Sequence, residues 1–213
     1  MNLKEKFLRK KIIEACLAIE KKKLNQGKTG NISNRWKNGI LITPSGIDYD
    51  KLKYTDIVFI NNKEKVEGGG EPSTEWRFHL NIIKARKEIN SIVHNHPIYG
   101  TGFSMLRKEI KSFHYLIGLF GGNNIRCAKF KMPGTAQLSK EVLSSLKDRK
   151  ACLIANHGTI TLGQNLNEAL YLAEQFEALC KQITIANING KPKFIDDKKM
   201  KLIIKKLKNY NKE

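Results

Sequence analysis

No stretch of this 213-residue chain approaches the ~20 consecutive apolar residues that a membrane-spanning helix needs. Its first residues, Met1-Asn2-Leu3-Lys4-Glu5-Lys6, carry charge of both signs and hold no apolar signal core. The expectation is a cytoplasmic protein. Cysteine is sparse and unclustered. Cys16, Cys127, Cys152 and Cys180 stand far apart, with no C-x-x-C pair among them. Each lies in or beside an apolar stretch, so buried free thiols are expected, not ligands or disulfides. Acidic residues are also scarce, 20 against 39 Lys and Arg, for a formal net charge of +19. Such a surplus raises nucleic acid or an anionic membrane as partners. Against nucleic acid, there is no aromatic RNA-binding run, no zinc-finger spacing and no clear helix-turn-helix pattern. The surplus is mostly lysine scattered along helices, densest at Lys21-Lys22-Lys23 and in the last twenty residues. It reads as a solvated lysine surface whose positive field would favour a phosphorylated substrate. Internal repeats, low-complexity tracts and interdomain linkers are missing too, so one domain over residues 1–213 is expected.

What the chain does have is short apolar blocks separated by polar breaks, with 40% hydrophobic residues. Leu3, Phe7, Ile12, Ile13, Cys16, Leu17 and Leu24 fall near one face of a helix over Leu3–Leu24. Asn38-Gly39 between Arg35-Trp36 and Ile40-Leu41-Ile42 marks a hairpin. A helical turn near Tyr49–Leu52 precedes strands at Ile57–Ile60 and Glu64–Glu67. After Gly68-Gly69-Gly70, Ser73 or Thr74 caps a helix to about Lys87, with Glu75 in its first turn, where negative charge is favoured. Further helices are expected at Tyr99–Leu106, Thr135–Lys147, from an Asn167 cap to Ala186, and at Asp196–Leu207. Strands are expected at Ile125–Ala128, Cys152–Ala155 and Thr159–Leu162, while Phe113–Phe120 is apolar and ambiguous. Helices interleaved with strands and hairpins predict an α/β protein: a helix-covered sheet with antiparallel pairs.

The chain is organised around Ile92-Val93-His94-Asn95-His96-Pro97. Residues two apart on a strand share a face, so the imidazoles of His94 and His96 converge. Two neutral imidazoles make a natural pair of transition-metal ligands. Alone, the pattern fits equally a half-exposed strand carrying two polar residues. The remainder of the chain favours a metal: His157 follows the apolar run Ala151–Ala155, and Glu75 opens a helix upstream. Three nitrogens and a displaceable carboxylate suit a catalytic zinc with an open position. His79, four residues after Glu75 and on the same helical face, competes for inclusion, and His114 does so less strongly. Three polar turns, Thr29-Gly30-Asn31, Thr43-Pro44-Ser45-Gly46 and Ser73-Thr74, stand at strand or helix ends. Backbone N–H groups at such ends cradle phosphate.

Taken together, Gly30-Asn31-Ile32-Ser33, Thr43-Pro44-Ser45-Gly46, Ser73-Thr74-Glu75-Trp76-Arg77-Phe78-His79, His94-Asn95-His96 and Asn156-His157-Gly158 resemble the class II aldolase/adducin family. The likeness runs on through His114-Tyr115, Gly121-Gly122-Asn123 and Cys127-Ala128. It implies a three-layer α/β/α fold around a central, largely antiparallel mixed sheet. It implies one Zn2+ per subunit, held by Glu75, His94, His96 and His157, and phosphate binding by Gly30, Asn31, Ser45, Gly46, Ser73 and Thr74. Glu75 would also move protons, and Tyr115 would donate a proton from a neighbouring subunit of a C4 homotetramer. Tyr210 sits in a tail that in the family closes over the site. The implied reaction is reversible cleavage of L-fuculose 1-phosphate to dihydroxyacetone phosphate and L-lactaldehyde. Pro133 stands where that branch carries an aromatic residue lining the aldehyde pocket, which brings in 5-deoxyribulose or methylthioribulose 1-phosphate as alternative substrates. A non-catalytic adducin-like interaction domain is the rival reading, and retention of the four ligand residues argues against it.

Overall fold

The computed structural model describes residues 1–210, and side chains through residue 207. Nine strands form a sheet ordered β4-β3-β2-β1-β5-β9-β8-β7-β6. They are β1 Asn31–Trp36, β2 Gly39–Ile42, β3 Val58–Asn61, β4 Val66–Glu67, β5 Ser91–Asn95, β6 Ile110–Lys111, β7 Asn124–Ala128, β8 Ala151–Ile154 and β9 Gly158–Gly163. Among the described residues, only β7 and β8 pair in parallel; every other neighbouring pair is antiparallel. The helices are α1 Leu3–Lys21, α2 Trp76–Ala85, α3 Ile98–Met105, α4 Ala136–Ser145, α5 Leu166–Asn189 and α6 Asp197–Tyr210. No helix among the described residues is long and apolar enough to cross a membrane.

The layers follow from alternation along the strands. Ile40, Ile42, Val58, Ile60, Ile92, Cys152 and Ile154 pack with Phe78, Leu80, Ile82 and Ile83 of α2 and Leu138 and Val142 of α4. The residues between them, Leu41, Phe59 and Val93, pack on the opposite face with Ile12, Cys16 and Ile19 of α1 and Ala169 and Ala173 of α5. Ala151 and Leu153 face that same side, with Phe176 and Leu179 of α5. Period-two alternation with apolar residues on both faces requires cover on both, and the outcome is the expected three-layer mixed sheet. Cys16, Cys152 and Cys180 are buried and, like the half-buried Cys127, free.

Local differences from the sequence reading have physical reasons. The hairpin register pairs Trp36 with Gly39, so Lys37-Asn38 form the turn and Gly39 opens β2. Gly39 is needed there because a β-carbon would stand 2.0 Å from the carbonyl oxygen of Ile60. The N-cap of α2 is Glu75, not Ser73 or Thr74; its side chain makes no capping bond, and the Ser73 hydroxyl accepts from the Glu75 amide at 3.4 Å. Its carboxylate turns away to partners described below. The cap of α5 is Asn165, which accepts from the amide of Glu168; Asn167 already lies inside the helix. Phe113–Phe120 resolves into a 3₁₀ turn over Tyr115–Phe120 that packs against α6. The two-residue strand β6, too short to leave a pattern, was not anticipated.

Candidate metal centre and active site

β5 lies between β1 and β9 and carries the centre of the site. His94 faces the α2 side, like Ile92 two residues before it, and its ring meets the edge of Phe78 at 5.4 Å between centroids. His96 follows the strand end. Glu75 reaches in from the start of α2. His157 comes from the β8–β9 turn, where Ile154 pairs with Gly158 and Asn156 takes the left-handed conformation at φ +53°, which Asn tolerates.

The three rings are nearly perpendicular to one another, with centroids 4.8 to 4.9 Å apart. His94 Nε2 stands 3.0 Å from His96 Nε2 and 3.0 Å from Glu75 Oε2, and His157 Nε2 is 3.3 Å from Glu75 Oε1. One ligand atom from each of the four residues falls within 4.8 Å of the others. Ligands of a tetrahedral zinc, each ~2.0–2.1 Å from the ion, stand roughly 3.3 Å apart. Glu75 Oε1 is buried and has no hydrogen-bond partner, a costly state for a carboxylate oxygen. His94 Nδ1 donates to the carbonyl oxygen of Thr159 at 2.9 Å. That bond fixes the tautomer and leaves the Nε2 lone pair pointing into the cluster.

The charges suit a cation. Burial works against ionisation of Glu75, but His94, His157 and the Asn31 amide outweigh it and hold the carboxyl well below its usual range. Burial, followed by the neighbouring imidazoles, pushes His96 down to about 3 and His157 down to about 4. Both imidazoles are therefore neutral near pH 7 and available as ligands. One anionic oxygen and three imidazole nitrogens fit a divalent transition metal.

The three polar turns are brought together beside this cluster. Pro44 bridges Pro72, the Ser45 amide donates to the Glu71 carbonyl at 2.9 Å, and the Ser73 amide donates to Thr43 at 3.1 Å. Tyr49 donates to the Gly30 carbonyl at 3.1 Å, and Lys28 Nζ reaches the Gly46 carbonyl at 3.3 Å. Gly30, at φ +79°, passes so near β5 that a β-carbon would stand 2.7 Å from the His94 carbonyl oxygen. The loop holding Pro133 also joins the site: a β-carbon on Gly134 would lie 2.8 Å from the Thr74 carbonyl oxygen.

Asn31 is placed otherwise than a purely phosphate-facing residue. Its Nδ2 donates to Glu75 Oε2 at 3.2 Å, and its Oδ1 lies 2.5 Å from His79 Nε2. His79 is thus fully buried behind the cluster and outside the ligand set. His114 accepts from the Leu116 amide and caps the 3₁₀ turn, a structural part. Tyr115 is 49% exposed, and its ring stacks on His114 at 4.8 Å rather than on the ligand rings. The side chain of Tyr210 lies outside the described residues. The sequence reading missed Ser33, Thr159 and Asn25. Asn25 Oδ1 accepts from the His96 amide at 2.9 Å. Ser33 alone had a signal, lying two residues from Asn31 on the same face of β1.

A family model described as class II aldolase and adducin N-terminal domain matches residues 10–184. An L-fuculose phosphate aldolase of Escherichia coli is 41% identical over 204 residues, 95% of each chain. A 5-methylthioribulose-1-phosphate/5-deoxyribulose-1-phosphate aldolase of Rhodospirillum rubrum is 37% identical over 95% of this chain and 92% of its own. A solved L-fuculose 1-phosphate aldolase superposes with a TM-score of 0.91 at 32% identity, over 94% of this chain and 95% of that one.

Proposed function

Since this chain belongs to the class II aldolase and adducin family, we propose that it is a metal-dependent aldolase. Its reaction is reversible cleavage of L-fuculose 1-phosphate into dihydroxyacetone phosphate and L-lactaldehyde. One observation carries the catalytic reading against an adducin-like binding domain: Glu75 Oε1 is buried without a hydrogen bond, 3.3 Å from His157 Nε2, in a cluster that gathers the ligand atoms of three imidazoles. Such a group is costly in a protein that never receives a cation.

Glu75, His94, His96 and His157 would hold the ion, zinc by preference for this donor set. When bound, it supplies a Lewis acid for the negative charge that develops on the ketone oxygen as the carbon–carbon bond breaks. Glu75 moves the proton at the carbon that becomes part of dihydroxyacetone phosphate. Tyr115, from a neighbouring subunit of a homotetramer, manages the proton on the aldehyde-side oxygen; its exposure in the single chain fits a group that works on another subunit. Gly30, Asn31 through its backbone, Ser45, Gly46, Ser73 and Thr74 hold the phosphate and so fix the reacting bond in register. The protein acts in the cytoplasm on a freely diffusing phosphorylated sugar.

A second substrate reading rests on the 131–135 loop. Pro133 is rigid and non-aromatic beside Gly134, which packs on Thr74. Such a wall suits the aldehyde half of 5-deoxyribulose or methylthioribulose 1-phosphate as well. The test is release of dihydroxyacetone phosphate from each sugar phosphate by zinc-loaded protein. Highest kcat/KM on L-fuculose 1-phosphate is expected. A preference for a ribulose derivative replaces the first reading with the second, and no release from any of them overturns both.

A further inference from the structure

Behind Glu75 runs a chain of buried hydrogen bonds whose directions are forced. A carboxylate can only accept, so the Asn31 group 3.2 Å from Glu75 Oε2 is the amide NH₂. The other end of Asn31 is then the carbonyl oxygen, an acceptor, and His79 Nε2 at 2.5 Å must carry a hydrogen. A neutral imidazole has one N–H, which leaves Nδ1 as an acceptor, and the Ser33 hydroxyl donates to it at 2.7 Å. Ser33 and His79 are fully buried and Asn31 nearly so. His79 also stacks on Phe78 at 4.7 Å, which holds its ring plane. The direction runs one way: Ser33 to His79 to Asn31 to Glu75.

We propose that His79 is a positioning residue for Glu75, acting through Asn31. Without the Nε2–H donor, the Asn31 carbonyl oxygen is left buried and unpaired, only the Glu75 bond orients the amide, and the side chain is free to shift away from Glu75. Glu75 would then lose the bond that aims Oε2 at His94. The device sets the carboxylate that both meets the metal and moves the substrate proton, so the inference rests on the aldolase reading for its catalytic half and on the ligand set alone for its metal half.

Two substitutions separate positioning from packing. His79→Leu keeps the volume and removes the donor; His79→Gln offers an amide N–H in the region of Nε2. Metal affinity is measured by chelator competition, and kcat and KM are measured at saturating zinc. For His79→Leu, zinc affinity is expected to fall roughly 10–100-fold, the range seen when groups behind metal ligands are removed. Its kcat should fall by more than KM changes, because the change reaches the Asn31 side chain and leaves Ser45, Gly46, Ser73 and Thr74 of the phosphate turns in place. His79→Gln should recover most of both losses. Ser33→Ala, a change too small to threaten folding, should move metal affinity in the same direction by less, and serves if His79→Leu does not fold. Wild-type zinc affinity in both His79→Leu and Ser33→Ala, or His79→Gln as damaged as His79→Leu, overturns the proposal. A wild-type protein without aldolase activity would overturn the proposed function instead, and the zinc affinities would still decide the role of His79.

Discussion

Gly158 and His96 lie so close that no β-carbon fits between them: one built on Gly158 would stand 2.7 Å from His96 Cδ2 and 2.6 Å from the Asn95 carbonyl oxygen. The glycine that opens β9 therefore sets how near the His96 ring comes to His157. Gly158→Ala should push His96 aside and weaken metal binding roughly 10–100-fold, read by chelator competition. Unchanged affinity would mean that His96 is not a ligand.

Purified protein should carry about one divalent ion per chain by elemental analysis, as a single four-residue site requires. His94→Ala or His157→Ala should lose it. Full occupancy in both variants would break the ligand assignment, since His94 Nε2 stands 3.0 Å from both His96 Nε2 and Glu75 Oε2.

Glu75→Gln should abolish exchange of the dihydroxyacetone phosphate C–H with solvent deuterium, while Tyr115→Phe should keep exchange and slow cleavage. Removal of one acid–base group costs roughly 10²–10⁴-fold. Zinc occupancy is measured alongside, because Glu75 is also a ligand. A zinc-loaded Glu75→Gln protein that exchanges at the wild-type rate would leave Glu75 as a ligand only.

Mixing inactive Glu75→Gln and Tyr115→Phe chains should restore part of the activity if each site takes its tyrosine from a neighbour. A wild-type protein that light scattering finds monomeric and fully active would contradict that arrangement.

Stability of the metal-free protein should fall on acidification below about pH 6.5. Burial holds His79 and His96 at about 3 and His157 at about 4, whereas unfolded histidine titrates near ~6.5. Between those limits the unfolded chain binds protons that the folded chain refuses, so unfolding free energy rises with pH and is lost as pH falls. Each group contributes a limiting slope of about 1.4 kcal/mol per pH unit. The lowered Glu75 acts in the same direction, but only below its ordinary range, so it does not blur this window. Urea titrations between pH 7.5 and 5 that show no change would contradict burial of neutral histidines.

Much of this was legible in the sequence because short-range rules govern it. Ile92 and Val93 announce opposite faces of one strand, and His94 inherits the face of Ile92 by the same period. Where local rules competed with tertiary partners, the partners won. Ser73 and Thr74 are good caps, yet Glu75 starts the helix, because its carboxylate is drawn to His94 and Asn31 rather than to its own amides. Asn31 carries a phosphate-loop signature but spends its side chain on Glu75 and His79, a link across 48 positions of sequence for the His79 bond that no pattern can reveal. β6 is two residues long, below the length at which alternation can be seen.

The placement of β5 between β1 and β9 bears on how the chain matures. The ligands come from three separated stretches, and the bonds that aim them come from Asn31 of β1 and Thr159 of β9. A chain that has not yet paired all three strands offers an ion no complete site. An ion that binds only the finished chain at 100 times its dissociation constant adds about 2.7 kcal/mol to folding. Metal supply would then govern how much finished protein a cell retains as well as how fast each copy turns over. Under metal starvation the enzyme would be lost through unfolding and proteolysis as well as through an empty site.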